Sequence, residues 1–232
     1  MRFLDNILQD FIERAPDTLV RAKYSAMRER AVGLGAMGFH SFLQSKMIPF
    51  ESVMAKVWNI KMFKHLKESC DKASQKLAEE RGPCPDAAEA LVMERFSHKI
   101  AIAPNASSSI YCGNASPGIE PFPSNSYNHK TLEGTFNVRN RFLKKVLQQH
   151  GKDDEDTWTS ITVHGGSVMH LDFLTDAEKD VFKTAFELDQ RWIIEHAADR
   201  TPFICQSQSL NLFVSEPNFA KLTSMHFYAW KK

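Results

Sequence analysis

A run of small, hydroxyl-bearing residues is the part of the chain best suited to binding an anion. Residues 103–109 read Ala-Pro-Asn-Ala-Ser-Ser-Ser and follow an apolar stretch at residues 99–103. Small side chains leave backbone N–H groups uncovered, hydroxyls add donors, and a helix beginning here would place its positive end at the same point. The run is a candidate phosphate site. On these residues alone, however, a serine-rich helix cap without a ligand is the favoured interpretation.

A glycine run offers a second kind of phosphate chemistry. Residues 33–38, Gly-Leu-Gly-Ala-Met-Gly, match the G-x-G-x-x-G pattern of dinucleotide-binding turns. Such a site needs a hydrophobic strand before the glycines and an acidic residue ending a second strand about 20 residues later. Here only Ala31 and Val32 precede the glycines, and Glu51 lies where a helix is expected to begin. The pattern therefore favours glycines that permit close strand-to-helix packing, and a nicotinamide-dependent dehydrogenase is a distant third hypothesis.

The other residue types that could do chemistry form no local motif. The nine histidines include no H-E-x-x-H pattern, and surface or core roles are favoured for each of them. Glu120, between Ile119 and Pro121, is a carboxylate flanked by rigid apolar residues and is expected to have a hydrogen-bonding role. The cysteines form no C-x-x-C pair, so neither a zinc knuckle nor a dithiol is predicted. They are Cys70, Cys84, Cys112 and Cys205.

Composition limits the classes of partner. The chain has 232 residues, 43% of them hydrophobic and 25% charged, with a formal net charge of +1, which predicts a globular domain. This charge balance argues against attraction of the whole chain to nucleic acid or to a membrane surface. Met1 leads directly into an amphipathic helix instead of a signal sequence, and no apolar run approaches the ~20 residues of a membrane span. A reduced, cytoplasmic setting is expected.

The elements that must position these residues alternate between helices and short apolar strands, which predicts an α/β domain whose parallel strands are covered by helices. No linker divides residues 1–232, which are expected to form a single segment. Residues 104–128 are expected to be a loop and residues 152–156 a solvated turn. Helices are predicted at residues 3–12, 37–45, 52–80, 86–96, 141–150, 176–199 and from 218 onward, and strands at residues 31–35, 99–103, 135–138 and 203–214.

Several longer blocks, taken together, resemble a known family. Residues 30–39, 103–109, 114–121, 166–174 and 186–202 are similar, in order and spacing, to the large subunit of class I ribonucleotide reductases, over nearly the whole chain. The resemblance implies part of a ten-stranded α/β barrel, built from two parallel five-stranded halves with covering helices. The chain corresponds to the C-terminal part of that barrel domain.

The resemblance also assigns roles to residues. In the family, the matching segment receives the substrate's phosphates through backbone N–H groups and hydroxyls, whereas the glycine run belongs to the packing of the barrel. The implied phosphate-binding residues are Asn105, Ala106, Ser107 and Ser108, and Pro104, Ser109 and Glu120 are expected to support the substrate site.

Other family features are missing from these residues. The chain lacks the Asn-x-Cys-x-Glu arrangement that supplies the radical cysteine, the tyrosine pair that relays the radical and the cysteine pair that accepts electrons. The N-terminal allosteric nucleotide region is missing too. No catalytic residue and no metal ligand is therefore assigned. No cofactor is expected to bind this chain directly, whereas the assembled enzyme is expected to need a metal-radical small subunit and ATP or dNTP effectors.

Two hypotheses follow. In the first, the chain is a fragment of ribonucleoside-diphosphate reductase, inactive alone, which takes part in radical-based reduction of ribonucleotides to deoxyribonucleotides for DNA synthesis. Its implied partners are the remaining large-subunit segments, the radical-generating small subunit, thioredoxin or glutaredoxin, and a ribonucleoside diphosphate. In the second, it is a non-catalytic nucleotide-phosphate-binding or assembly subunit with the same fold. Part of a barrel leaves strand edges and apolar faces, so the isolated chain is expected to associate.

Overall fold

The computed structural model describes residues 1–131 and 134–232, and this part of the chain is mainly helical. Short 3-10 turns lie at Asp17–Leu19 and Thr201–Phe203. The α-helices are α1 (Arg2–Arg14), α2 (Val20–Glu29), α3 (Phe39–Ser45), α4 (Val53–Arg81), α5 (Pro85–Glu89), α6 (Ala106–Tyr111), α7 (Arg141–Gln149), α8 (Glu155–Val163), α9 (Asp176–Val181), α10 (Gln190–Arg200) and α11 (Phe219–Lys231). None of them is long and apolar enough to cross a bilayer.

Several helices begin at a side chain that accepts a backbone N–H. Helix α9 begins with a capping box, in which Thr175 Oγ1 accepts the Glu178 N–H and the Glu178 carboxylate accepts the Thr175 N–H. Asn140 starts α7, Asp154 starts α8 and Asn218 starts α11 in the same way. The Asp154 cap explains why the acidic stretch predicted as a solvated turn is the beginning of a helix.

The residues divide into two compact units. Unit 1 contains Met1–Gly35, Asn59–Ala103 and Asp199–Ser209. Unit 2 contains Ala36–Trp58, Pro104–Ala198 and Leu210–Lys232. Each unit is assembled from three separate stretches of chain, so neither forms from local sequence alone.

Unit 1 is organised around a buried carboxylate. Asp5 is fully buried, and its Oδ1 accepts hydrogen bonds from Arg30 Nη2 (2.7 Å) and Arg95 Nε (3.0 Å). Arg81 Nη1 donates to Oδ2 at 2.7 Å. Burial acts to raise the pKa of Asp5, but these three hydrogen bonds outweigh it and hold the pKa below its usual value. The cluster ties α1 to residues 25 to 90 positions away.

The predicted strands of unit 1 are present only as short parallel pairings. Leu34 bridges to Ile100 and Ile102 bridges to Gln208. A strand requires consecutive pairs, and each of these pairings ends after one, so the predicted strands at 31–35, 99–103 and 203–214 are wrong as continuous elements. A Cβ on Gly35 would lie 2.7 Å from the Ala101 carbonyl oxygen, which explains why a glycine is needed there.

Unit 2 contains a hairpin and a hydrophobic core. Strands β1 (Ser126–Thr131) and β2 (Gly134–Arg139) pair antiparallel, with Ser126 opposite Arg139, and β2 confirms the strand predicted at residues 135–138. Packing of α7 and α8 against residues 168–182 forms the core. Its buried members are Leu143, Val146, Leu147, Trp158, Ile161, Val168, Leu171, Leu174, Val181 and Phe182.

Three helix predictions need correction. The helix predicted at residues 176–199 is two helices, because Glu187 accepts from both the N–H and the hydroxyl of Thr184 and stabilises a turn between them. The helix predicted at residues 86–96 ends early, and Leu91 lies beyond it with a φ of 57°. Helix α4 confirms the long predicted helix but begins and ends one residue later than predicted, and Val53, in its first turn, is exposed.

Candidate functional site

The candidate phosphate segment, residues 105–108, lies in unit 2 at the start of α6. Asn105 precedes the helix in the left-handed conformation, with a φ of 53°, and the first bond of the helix runs from Ser109 N–H to the Asn105 carbonyl. Among the described residues, the N–H groups of Ala106, Ser107 and Ser108 have no hydrogen-bond acceptor. Three adjacent backbone donors therefore face outward from one helix start.

The side chains of the segment leave it accessible. Ser107 and Ser108 are exposed, and neither hydroxyl donates to another described residue. Ser109 differs, since it is buried and its Oγ donates to the Ala106 carbonyl at 2.8 Å. Ser109 thus closes the helical turn, while the two exposed serines are the hydroxyls available to an anion. Pro104, which precedes the turn, is exposed.

The chain reverses sharply after α6. Gly113 and Asn114 both have positive φ angles, 75° and 54°, and the Ala115 N–H then returns to the Ser109 carbonyl at 3.1 Å. The reversal closes residues 105–115 into a compact loop. The loop predicted at residues 104–128 therefore contains a helix, and the predicted phosphate-binding residues lie at the start of that helix.

The last glycine of the run at residues 33–38 begins α3, and the N–H groups there donate to protein oxygens. Gly38, with a φ of 81°, donates its N–H to the Ser116 carbonyl at 2.9 Å. Phe39 N–H donates to the Gly118 carbonyl at 3.3 Å, and Ser41 N–H donates to Ser116 Oγ at 3.1 Å. Three of the N–H groups that would meet a pyrophosphate at this helix start are occupied by protein oxygens, so the geometry argues against a dinucleotide site.

Glu120 lies in the same loop region but has a different partner. It is 7% exposed, and its Oε1 accepts from Asn211 Nδ2 at 2.7 Å. Burial raises the pKa of the Glu120 carboxyl, although hydrogen bonds from Asn211 oppose the rise. Among the described residues no hydrogen bond joins Glu120 to residues 104–109. The structure gives Glu120 the predicted hydrogen-bonding role without bringing it into contact with the phosphate donors.

A buried amide network anchors the chain that follows the loop, and sequence reasoning missed it. Asn140 Nδ2 donates to Gln44 Oε1 (2.9 Å) and to Asn125 Oδ1 (2.8 Å). Asn125 Nδ2 in turn donates to the carbonyls of Gly166 and Phe182. Only the position of Asn140 before a helical pattern gave a signal in the sequence, because the partners are far apart along the chain.

The remaining titratable candidates are not grouped into a site. The four cysteines are free thiols, and burial raises the pKa of Cys70. His40, on α3, is fully buried, and burial lowers its pKa to about 3, so it is a neutral core residue. Within residues 1–131 and 134–232, no three His, Cys, Asp or Glu side chains are grouped to hold a metal ion.

A family model and related sequences match this chain over nearly its whole length. The model for the ribonucleotide reductase barrel domain matches residues 1–90 and 92–232. The ribonucleoside-diphosphate reductase large subunit of Invertebrate iridescent virus 6 is 47% identical over 237 residues, covering 100% of this chain and 24% of the viral protein. The large subunit of Danio rerio is 33% identical, covering 91% of this chain and 30% of the fish protein.

A solved structure from the same family is also similar to this chain over nearly its whole length. The class Id ribonucleotide reductase alpha subunit of Actinobacillus ureae superposes with a TM-score of 0.90 at 40% sequence identity. The match covers 99% of this chain and 42% of that subunit. The chain therefore spans between a quarter and about two fifths of the length of these relatives.

Proposed function

Because the chain belongs to the ribonucleotide reductase barrel-domain family, we propose that it supplies the substrate-phosphate-binding segment of a ribonucleoside-diphosphate reductase large subunit. The observation that carries the proposal is the set of three unpaired N–H groups at Ala106, Ser107 and Ser108. These donors, the neighbouring hydroxyls and the positive end of α6 suit a diphosphate, which presents several acceptor oxygens and negative charge. Asn105 stabilises the left-handed turn that begins the helix.

In this proposal the chain binds and orients, and other segments do the chemistry. Residues 1–232 form one segment of the C-terminal part of a ten-stranded α/β barrel. The radical cysteine and the reducing cysteine pair come from other parts of the large subunit. The metal-radical small subunit, thioredoxin or glutaredoxin, and ATP or dNTP effectors complete the assembly. Holding the diphosphate would fix the ribose relative to a radical that this chain does not carry.

Exposed apolar side chains in unit 1 support the need for companion segments. Phe3 on α1 is 72% exposed, and Val20 and Tyr24 on α2 are 64% and 60% exposed. The amphipathic pattern of α2 has no buried residue in this structure. Helices with such a pattern are stable when another surface covers their apolar side.

Titration with pyrophosphate, followed by ¹H–¹⁵N NMR of the chain, tests the binding role. The amides of Ala106, Ser107 and Ser108 should show the largest saturable shifts, because these adjacent donors have no acceptor within residues 1–131 and 134–232. Saturable shifts at the start of α3 instead, or none anywhere, would contradict the proposal. Sulfate at equal ionic strength serves as the control for general anion binding.

Reconstitution tests the enzymatic role. The chain is mixed with the remaining large-subunit segments and a small subunit, and reduction of CDP is measured. Activity that depends on this chain is expected under the proposal. A correctly assembled complex that binds pyrophosphate at residues 106–108 but reduces no CDP would favour the alternative, a non-catalytic phosphate-binding or assembly subunit.

A further inference from the structure

Two serines connect the glycine run to the phosphate segment. Ser116 N–H donates to Ser41 Oγ at 2.8 Å, and Ser41 N–H donates to Ser116 Oγ at 3.1 Å. Each residue thus gives its backbone donor to the hydroxyl of the other. Ser116 is fully buried and Ser41 is 5% exposed, so water does not compete for these bonds. We call this pair the serine clasp.

The serine clasp joins a largely exposed segment to a largely buried helix. Residues 105–115 form an exposed loop closed by the Ala115 N–H bond to Ser109, and Ser116 follows directly. Helix α3 is buried along most of its length, with Phe39 and Leu43 at 1% and 0% exposure. The Ser116 carbonyl also accepts the Gly38 N–H, so one residue makes three hydrogen bonds to the start of α3.

We propose that Ser41 and Ser116 are positioning residues, which hold the loop on α3 and thereby fix the direction of the three free N–H groups at the start of α6. The inference rests on the proposed phosphate-binding function. It also assigns a role to the glycine run. The left-handed Gly38 begins α3 so that its own N–H and that of Phe39 donate to oxygens of Ser116 and Gly118 instead of to a ligand. Neither serine contacts substrate in this proposal.

The Ser116→Ala variant tests the inference. The substitution removes the hydroxyl that accepts the Ser41 N–H and leaves that N–H unpaired in a buried site. Pyrophosphate binding by the 232-residue chain should weaken about tenfold. Ser41→Ala should have a similar effect. The double variant should be little worse than either single one, because the two hydroxyls act as one unit.

Ser45→Ala is the matched control, since Ser45 lies on the same helix, is exposed and donates its Oγ to the Phe42 carbonyl within α3. It should bind pyrophosphate as the unchanged chain does. In the reconstituted reductase, Ser116→Ala should raise KM for CDP with kcat unchanged, whereas a general loss of folded protein would lower the apparent kcat and leave KM alone.

Amide shifts recorded without ligand separate this inference from the proposed function. Ser116→Ala should move the amide signals of residues 106–108, and Ser45→Ala should not. Unmoved amides together with unchanged pyrophosphate affinity in folded Ser116→Ala would overturn the positioning role even if the segment binds phosphate. If the unchanged chain binds no pyrophosphate, the proposed function fails, while the shifts still report whether the serine clasp positions the loop. Ser116→Cys, of similar size, replaces Ser116→Ala in all measurements if the alanine variant does not fold.

Discussion

Helices α3 and α6 both begin at a residue with a positive φ, 81° at Gly38 and 53° at Asn105, yet their free donors have opposite fates. At α3 the N–H groups of Gly38, Phe39 and Ser41 donate to oxygens of Ser116 and Gly118. At α6 the corresponding groups have no acceptor among the described residues. The glycine-rich start matches a well-known phosphate motif and is filled by protein, whereas the serine-rich start is open. Whether the backbone N–H groups already have protein acceptors distinguishes a packing turn from an anion site better than the match to a sequence motif does.

The largest expected effect is an acid-induced loss of stability caused by His40, on α3. His40 is fully buried, its Nδ1 accepts the Phe122 N–H at 2.9 Å, and burial lowers its pKa to about 3 against a bond to the Val181 carbonyl. The unfolded chain takes up this proton near pH 6.5, the folded chain only near pH 3. Between these values the unfolded state binds more protons, so lowering the pH by one unit lowers the contribution of His40 to the free energy of unfolding by about 1.4 kcal/mol.

Urea denaturation at a series of pH values measures this slope. The His40→Gln variant removes the titrating ring, and the difference between the two pH profiles is the contribution of His40. Equal slopes in the two proteins would show that the buried ring does not control the acid sensitivity of this region.

The next effect, on binding, comes from placing a fixed charge at the open helix start. In Ser107→Asp, a carboxylate beside the free N–H groups should repel an incoming phosphate and weaken pyrophosphate binding roughly 100-fold. Stability should not fall, because an acidic residue is favourable in the first turn of a helix. Calorimetric titration measures the affinity, with Ser215→Asp, in an exposed loop, as the charge control. Undiminished affinity for pyrophosphate in Ser107→Asp would show that the start of α6, like the start of α3, is not the binding site.

The smallest expected effect is on stability, in variants of Gly38 and Asn105, the two left-handed residues that begin α3 and α6. Gly38→Ala should lower the free energy of unfolding by about 1 kcal/mol, since alanine is strained at a φ of 81°, while its Cβ would make an ordinary contact of 3.5 Å with that of Ala115. Asn105→Gly should be neutral or slightly stabilising, because glycine adopts this conformation without strain. Both values come from urea denaturation at neutral pH. A larger loss of unfolding free energy in Asn105→Gly than in Gly38→Ala would contradict this comparison. It would mean that the Asn105 side chain stabilises the fold by more than its left-handed backbone conformation.

Periodic patterns predicted the long elements well, because burial of one helical face repeats along the sequence. Helices α1, α4, α7 and α11 lie within a few residues of their predicted bounds. The break between α9 and α10 was missed, since it depends on Glu187 capping Thr184 and the helical pattern continues through both residues. The single bridges at Leu34 and Ile102 could not be told from full strands, because apolar runs do not report how many pairs a partner supplies.

The site was predictable where its chemistry is local and not where it depends on distant partners. The exposed serines and free amides of residues 106–108 follow from small residues at a helix start. The bond between Glu120 and Asn211, 91 residues apart, left no trace in either local sequence. The same holds for Ser41 and Ser116, separated by 75 positions, whose pairing only the folded chain shows. The assignment of residues 105–108 to substrate phosphate remains a prediction, which the titration above tests.

The buried Asp5 has a consequence for the order of events during synthesis. Its arginine partners lie 25, 76 and 90 residues further along the chain, so the ribosome releases them one after another. Until Arg95 has emerged, the carboxylate lacks one of its three donors, and the stretch Asp199–Ser209 that completes unit 1 arrives later still. Loop closure over such separations is slow compared with local helix formation. Helix α1 is therefore synthesised before all of its arginine partners and is among the last elements of unit 1 to be secured, which leaves it open to chaperones and proteases in the interval.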